Sequence, residues 1–462
     1  MRQGRTARGR HPNAAGSPAI APLFALVGLL ILAAALLGGA SRENTWRLAS
    51  VEVLALPLGV IVVSRSVRGE LPATAVGPLV ILAAILLVPL LQLVPLPPTV
   101  WSILPGQAPR LQALAVAGLT APWLPVSLSP HDTAAAALAL IPPAAMFCGA
   151  LFITPGLTRR LVWLWIGLAA AGLVLGLVQI ATPAGGPAYL YRTTNLGSPV
   201  GLFANRNHEA AFLLAMLPFA AVLAAKGGRE RNRRGARGES PERGLGPGLA
   251  GLFILISVIA LGVIRSRAGL ILAGPTVVAS VGLLWRETRE RSAWRAAAAL
   301  GAVAVVATVA VALFGLSPIL ERFRPQPVAE LRFEAWPYVA EAARAHLPLG
   351  AGLGAFDRVF EAVQPLNLVG PTYFNHAHND YLELWLETGW VGVGLMAVFL
   401  VWFTLAAARA WRTGSGMARA ASVAILALLA AATVDYALRT ETILVLFAFC
   451  CGVMANGEAA HR

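Results

Sequence analysis

Charge is scarce in this sequence. Only 13% of its 462 residues are charged, whereas 57% are hydrophobic and the mean hydropathy is +0.70. Soluble globular proteins carry about 25% charged residues. The composition therefore excludes that class and indicates a protein whose solvent is the lipid bilayer.

Aspartate and cysteine are also rare, and each scarcity excludes a kind of site. The four aspartates (Asp132, Asp357, Asp380 and Asp435) are scattered and form no Asp-x-Asp pair, which metal-dependent sugar transferases usually show. The three cysteines all fall within apolar stretches, so they have the spacing of neither a disulfide framework nor a zinc site. We therefore predict no metal and no cofactor.

The chain instead has many long apolar runs. A membrane-spanning helix needs roughly 20 apolar residues, and about twelve runs come close to this length. They predict an all-α, polytopic membrane protein with about twelve transmembrane helices. The runs lie near residues 19–40, 49–65, 74–95, 133–153, 161–181, 207–225, 248–264, 268–285, 297–316, 388–408, 420–436 and 442–457.

The distribution of charge predicts the topology. With the N-terminus in the cytoplasm, most Lys and Arg fall in short inner segments and most acids fall outside, as the positive-inside rule requires. Topology therefore explains the net charge of +14, and we expect no nucleic acid partner.

The predicted topology divides the chain into four parts. A cytoplasmic tail (1–18) is followed by nine helices (19–316), with periplasmic loops near 96–132 and 182–206 and a basic cytoplasmic loop near 226–247. A large helical periplasmic loop (317–387) then separates the ninth helix from the tenth, and three helices with a C-terminal tail (388–462) follow.

Four polar clusters interrupt the apolar pattern, all on the predicted outer side. They are Asn205, Arg206 and His208 in "ANRNHEAAF", Arg265 and Arg267 in "IRSRAGL", Arg332 and Arg344 in the third loop, and His376 and His378 in "FNHAHNDYLELWLETGWVG". An arginine at a helix end is commonly a snorkelling anchor, and for Arg206 this alternative stays open. Positive charge is disfavoured in a short outer turn, so Arg265 and Arg267 favour a function.

The last cluster predicts a capped helix with a histidine at its start. If Asn379 or Asp380 caps a helix through "YLELWLE", then Glu383 and Glu387 share one face and His378 lies at the helix N-terminus. The helix dipole there favours a neutral imidazole that accepts a proton, although a structural histidine remains the alternative. Several guanidiniums beside such an imidazole suit a diphosphate, with arginine in place of a metal as the leaving-group stabiliser.

At these residues the sequence resembles the O-antigen ligase and polymerase family of bacterial envelope enzymes. The matching pieces are "GLFANRNHEAAFLLAMLPFA" (201–220), "SRAGL" (266–270), "RFEAWPYVAEAARAHLPLGAGLGAF" (332–356) and "HAHNDYLELWLETGWVGVG" (376–394), which together cover roughly 195–410. The resemblance implies a helical enzyme of the bacterial inner membrane whose active site faces the periplasm. It also implies undecaprenyl-diphosphate-linked glycans as donors and no metal.

The resemblance further implies roles for single residues. His378 is similar to the family's essential loop histidine, proposed to deprotonate the acceptor hydroxyl, although His376 competes with it for that role. Arg206 and Arg267 are similar to the arginines that hold the diphosphate. The implied reaction is one displacement at the anomeric carbon, which inverts the linkage. Around these residues we expect a substrate site formed by Asn205, His208, Arg265, Arg332, His376, Asn379 and Glu387.

Two questions stay open at the level of sequence. The acceptor hydroxyl can belong to lipid A-core, to another lipid-linked glycan or to a protein serine or threonine. A transporter or flippase would also have many helices, but it predicts polar residues at mid-membrane depth. Glu52 and Asp435 are nearly the only acids inside predicted helices, which favours the glycosyltransferase.

Overall fold

The computed structural model describes residues 20–41, 45–192, 194–236, 246–288, 327–370 and 373–456. Within these ranges the chain forms helices and turns and no strand. The helices are α1 (Ile20–Leu37), α2 (Thr45–Val67), α3 (Val76–Gln92), α4 (Pro98–Trp101), α5 (Ala108–Val116), α6 (Pro130–Ala139), α7 (Ile141–Ala150), α8 (Pro155–Ala181), α9 (Arg206–Ala236), α10 (Gly246–Ile264), α11 (Arg267–Thr288), α12 (Pro327–Ala345), α13 (Phe356–Val363), α14 (Asp380–Arg412), α15 (Gly416–Ala431) and α16 (Glu441–Asn456). Short 3₁₀ turns occupy Ala73–Ala75, Leu366–Leu368 and Ala437–Arg439.

The all-α, multi-pass prediction is confirmed. Among the described residues, eight helical segments are long and apolar enough to cross a membrane, and three shorter apolar helices accompany them. The predicted ninth span, 297–316, lies outside the described residues. The total of about twelve spans therefore stays a prediction.

Helix α9 lies at the centre of the bundle. Nearly all residues of its apolar part, within Arg206–Ala225, are buried, and it packs against α8, α10, α11 and α15. The sequence explains this position, since "EAAFLLAMLPFAAVLAA" is apolar on every side of a helix and such helices are buried. The centre of the fold therefore leads directly to the polar residues at the start of α9.

Hydrogen bonds between distant segments define the two ends of the bundle. At one end, Thr74 Oγ1 donates to the carbonyl of Ala455 (2.9 Å) and Arg286 Nη2 donates to that of Trp411 (2.7 Å). At the other end, the backbone N–H of Thr442 donates to the carbonyl of Gly38 (3.2 Å). The polar clusters named above all belong to this second end.

A second, smaller core lies beside that end. It forms between α12, α13 and the first turns of α14, around Val339, Phe356, Phe360 and Leu386. Helix α14 breaks at Gly389, whose φ of 58° places it in the left-handed region. A Cβ at this position would collide with the carbonyl oxygen of Pro348, so only glycine allows this close approach.

Two element boundaries differ from those predicted above. Helix α15 ends at Ala431 rather than near 436, because the carbonyl of Ala432 accepts a hydrogen bond from the Asp380 N–H instead of continuing the helix (2.9 Å). Helix α9 continues to Ala236, through the first half of the basic segment 226–247, whose arginines favour helix. Pro337 lies inside α12, where its missing N–H costs one helical hydrogen bond that the packed helix tolerates.

Candidate active site

Three helices begin at the same end of the bundle, each with a polar N-cap. The Asn205 side chain accepts the N–H of Asn207 at the start of α9 (2.9 Å). Ser266 accepts that of Gly269 in α11 (3.0 Å), and Asn379 accepts two N–H groups in α14 (3.1 Å each). Capping by Asn379 is therefore confirmed. These caps fix Arg206, Arg267 and His378 at helix N-termini, where the dipole favours negative charge.

Helices α9 and α11 approach closely at their first turns. A Cβ on Gly269 would lie 2.7 Å from the Cβ of Ala210, so the glycine is what lets the two turns meet. Arg206 and Arg267, both half-buried, therefore begin neighbouring helices. The Arg206 N–H donates to the Asn195 side chain (3.0 Å) and its Nη1 to Ser198 Oγ (3.5 Å).

His378 pairs with a buried carboxylate. Its Nδ1 lies 3.1 Å from Asp435 Oδ1, and the two side chains are 27% and 3% exposed. The other oxygen of Asp435 accepts from Asn207 Nδ2 (2.5 Å) and Asn205 Nδ2 (3.4 Å). The asparagines on both sides of Arg206 and the histidine therefore share one aspartate.

The charge of Asp435 decides the tautomer of His378. Burial raises the pKa of Asp435, but the hydrogen bonds from His378 and Asn207 and the neighbouring imidazoles lower it more, so this pKa lies well below its usual range. A carboxylate can only accept a hydrogen bond, so Nδ1 of His378 carries the proton. Nε2 of the neutral ring then holds the lone pair.

His376 has a different environment. Its Nδ1 lies 2.8 Å from Glu383 Oε1, and the two side chains are 2% and 0% exposed. The second oxygen of Glu383 accepts the backbone N–H of Ala377 (2.8 Å). This carboxylate therefore holds the segment between the two histidines.

Arg439 neutralises a buried acidic face of α14. Its guanidinium lies 2.6 Å from Glu387, 3.3 Å from Glu383 and 3.4 Å from Asp380. Burial lowers the pKa of Arg439, but the three carboxylates raise it more, so the guanidinium stays charged. Glu387 also accepts the N–H of Gly354 (2.8 Å), so it links α14 to the turn before α13.

Three histidine rings surround Tyr436. Ring centroids lie 4.8 Å away for His208, 4.4 Å for His376 and 4.9 Å for His378. His208 is buried, and its Nδ1 lies 2.9 Å from Thr440 Oγ1. Burial and the charge of Asp435 raise the pKa of Tyr436 above its usual range, so the phenol stays neutral.

The remaining arginines of the prediction take different positions. Arg332 Nη1 donates to the carbonyl of Val434, next to Asp435 (3.0 Å). Arg265 is exposed, with a left-handed φ of 61°, and is not part of the described hydrogen-bond network. Arg344 is also exposed and lies over the Trp385 ring at 5.8 Å.

Several residues of this network were not predicted as site residues, namely Asn207, Glu383, Asp435, Tyr436 and Arg439. The predicted span 420–436 includes Asp435, whereas α15 ends before it at Ala431. The polar break "TVDYALRTE" (433–441) is the signal that identifies this turn.

A family model described as O-antigen ligase matches residues 252–397. The match supports an O-antigen ligase-like family and confirms the resemblance seen in the sequence. No curated protein matches the chain.

The matched range contains only part of the network. Arg267, Arg332, His376, His378 and Glu387 lie within the matched range, together with Arg265 and Asn379. Asn205, Arg206 and His208 precede it, and Asp435 and Arg439 follow it. The family indicates a membrane protein of glycosyltransferase type and implies lipid-linked glycan substrates.

Proposed function

We propose that this protein is a glycosyltransferase that transfers or polymerises a glycan from an undecaprenyl-diphosphate carrier at the periplasmic face of the bacterial inner membrane. One observation supports it most directly. The imidazole of His378 pairs with buried Asp435, which also binds the two asparagines beside Arg206. A candidate base and a candidate anion-binding arginine thus belong to one connected unit.

In this proposal His378, rather than His376, is the general base. His378 is the more exposed of the two, and its Nε2 holds the lone pair because Asp435 fixes the proton on Nδ1. The acceptor hydroxyl gives its proton to Nε2, and Asp435 stabilises the imidazolium that forms. General-base catalysis of this kind typically contributes about 10²–10⁴-fold to the rate.

Arg206 and Arg267 hold the diphosphate of the donor. Each starts a helix, so the guanidinium and the helix N-terminus act together on an anion. Arginine keeps its charge and binds phosphate oxygens bidentately. It therefore stabilises the leaving diphosphate without a metal, and a single displacement on an α-linked donor gives a β-linked product.

The other predicted residues support this core. Arg265, in the exposed turn before Arg267, guides the anionic donor. Asn205 and Arg332 position Asp435 and the carbonyl beside it, and His208, His376, Asn379 and Glu387 hold the turns that carry the base. The same proposal places 96–132, 182–206 and 317–387 in the periplasm and 226–247 in the cytoplasm. It leaves open whether the acceptor is lipid A-core, a second lipid-linked glycan or a protein hydroxyl.

Replacing His378 tests the proposal. In cells, His378→Ala should abolish the polymeric or ligated glycan while the lipid-linked donor accumulates on the outer leaflet, because flipping continues and transfer stops. His131→Ala, at an exposed histidine of α6, is the matched control and should keep wild-type product. Donor that accumulates on the inner leaflet would indicate a flippase instead, and undiminished product in His378→Ala would refute the proposed base.

A further inference from the structure

The segment 97–125, called here the arm, forms a closed unit at the site end of the bundle. It contains α4 and α5 and connects α3, which ends at Gln92, to α6, which begins at Pro130. Leu96 and Leu124 pair through two backbone hydrogen bonds (2.9 and 3.1 Å). The buried Trp101 indole donates to the carbonyl of Pro122 (2.9 Å). The two ends of the arm, called here its roots, therefore lie together, and these hydrogen bonds determine which face of the arm points toward the bundle and which points away.

The outer face of the arm carries no charge. Arg110 is the single charged side chain in 97–125, and it turns inward, where Nη1 donates to the carbonyl of Pro125 (3.1 Å) and Nη2 to that of Ser127 (2.9 Å). A surface designed for water carries about 25–35% charged residues. This face therefore lacks the composition of a water-facing surface.

The outer face is apolar instead. Its exposed large hydrophobic side chains are Val100, Ile103, Leu111, Val116, Leu119 and Trp123, with exposed fractions that reach 79% at Ile103 and 84% at Val116. The exposed polar side chains among them, Thr99, Gln112 and Thr120, are uncharged. It follows directly in the chain after the exposed Leu90, Leu91 and Val94 at the end of α3, a candidate membrane span. The apolar surface of that span thus continues into the arm.

We propose that the arm lies in the outer-leaflet interface of the bilayer, with its apolar face among the lipid acyl chains. Tryptophan and apolar side chains on a rigid polar-bonded unit suit this region. The occupant is bilayer lipid, because both roots of the arm join membrane-spanning helices at one surface. This inference takes the outer side of the membrane from the proposed function, but it does not depend on the proposed reaction.

The arm also contacts the elements that carry the candidate site. Gly106, at φ 78°, packs against the ring of His346 after α12. Gln92, at its root, donates to the carbonyls of Leu349 (3.2 Å) and Glu387 (2.9 Å). Insertion of the arm therefore determines the depth of α12 and of the break in α14 along the membrane normal.

Site-directed fluorescence in vesicles tests the location of the arm. Ile103→Cys and Val116→Cys would each carry a bimane label in full-length protein, reconstituted in phosphatidylethanolamine and phosphatidylglycerol vesicles. Leu366→Cys is the matched control, since Leu366 is 89% exposed in the turn after α13. The native thiols, which lie in helices, are replaced by alanine (Cys148, Cys450 and Cys451).

We expect the two arm labels to emit at shorter wavelength than the Leu366 label, to lose most of their fluorescence to brominated lipid, and to resist iodide present on both sides of the membrane. Iodide quenching as strong as that of the control would overturn the proposal. Arm labels that react slowly with impermeant maleimide in cells but are open to iodide in vesicles would also overturn it, in favour of a protein partner. If either variant fails to fold, Leu119→Cys replaces it.

Discussion

Asp435→Asn is the sharpest test of the His378 pair, because it removes one charge and almost no volume. The asparagine at 435 would face donors from His378, Asn205 and Asn207, where the carboxylate accepts from all three. An amide has only one acceptor atom. In one orientation of the amide, its NH₂ group faces Nδ1 of His378. Nδ1 must then accept a hydrogen bond, so the proton of the imidazole moves to Nε2. That tautomer cannot accept a proton from the acceptor hydroxyl.

The size of the effect follows from the geometry. Opposite charges 3.1 Å apart attract by about 5 kcal/mol at an effective dielectric constant of ~20. This is an upper value, since His378 is 27% exposed and solvent screens the pair. Loss of one partner of a buried pair costs about 3–5 kcal/mol. We therefore expect kcat to fall by roughly 10²–10³-fold, which corresponds to about 3–4 kcal/mol in the barrier.

The assay is steady-state transfer from a lipid-linked donor by purified protein in vesicles. Because Asp435 acts on the base, kcat should fall while the KM for the donor changes little. Asp357→Asn, at the start of α13, is the matched control and should keep wild-type kcat. A variant at 435 whose kcat stays within about threefold of wild type, less than ~1 kcal/mol, would refute the pairing as the basis of the reaction.

Three further predictions concern the network around this pair. Arg439→Gln leaves three buried carboxylates without their cation and should lower the free energy of unfolding by about 3–5 kcal/mol. Thermal unfolding in detergent measures this loss, and a Tm as little changed as that of the exposed control Arg358→Gln would contradict it. Tyr436→Phe keeps the ring that packs on His378 and should stay active, whereas Tyr436→Leu should lose most of its kcat; equal loss in both would assign the effect to the hydroxyl. The folded pKa of Asp435 lies below the unfolded value of about 3.9, so the stability that its charge contributes is complete above that pH and is lost as the pH falls further. The difference in free energy of unfolding between wild type and Asp435→Asn should therefore shrink below about pH 4. A difference that grows there would contradict a lowered pKa.

The sequence by itself determined the helical class and the N-cap of a helix at the site. Apolar runs near the length of a bilayer predict helices, because an unpaired backbone in lipid is too costly. The cap at Asn379 was predicted as one of two choices, because asparagine and aspartate bind the first N–H groups of a helix in any fold. Such effects depend only on neighbours in the chain.

Only the tertiary structure decided which polar residues meet. Asp435 lies 57 residues after His378 and 228 residues after Asn207, and no local pattern relates positions so far apart. The end of α15 at Ala431 depends on a hydrogen bond from Asp380, in another helix. Likewise, His376 is buried whereas His378 is partly exposed, although only one residue lies between them in "HAHN". Contacts between distant segments depend on how helices pack, and packing is set by the whole bundle rather than by any one stretch of sequence.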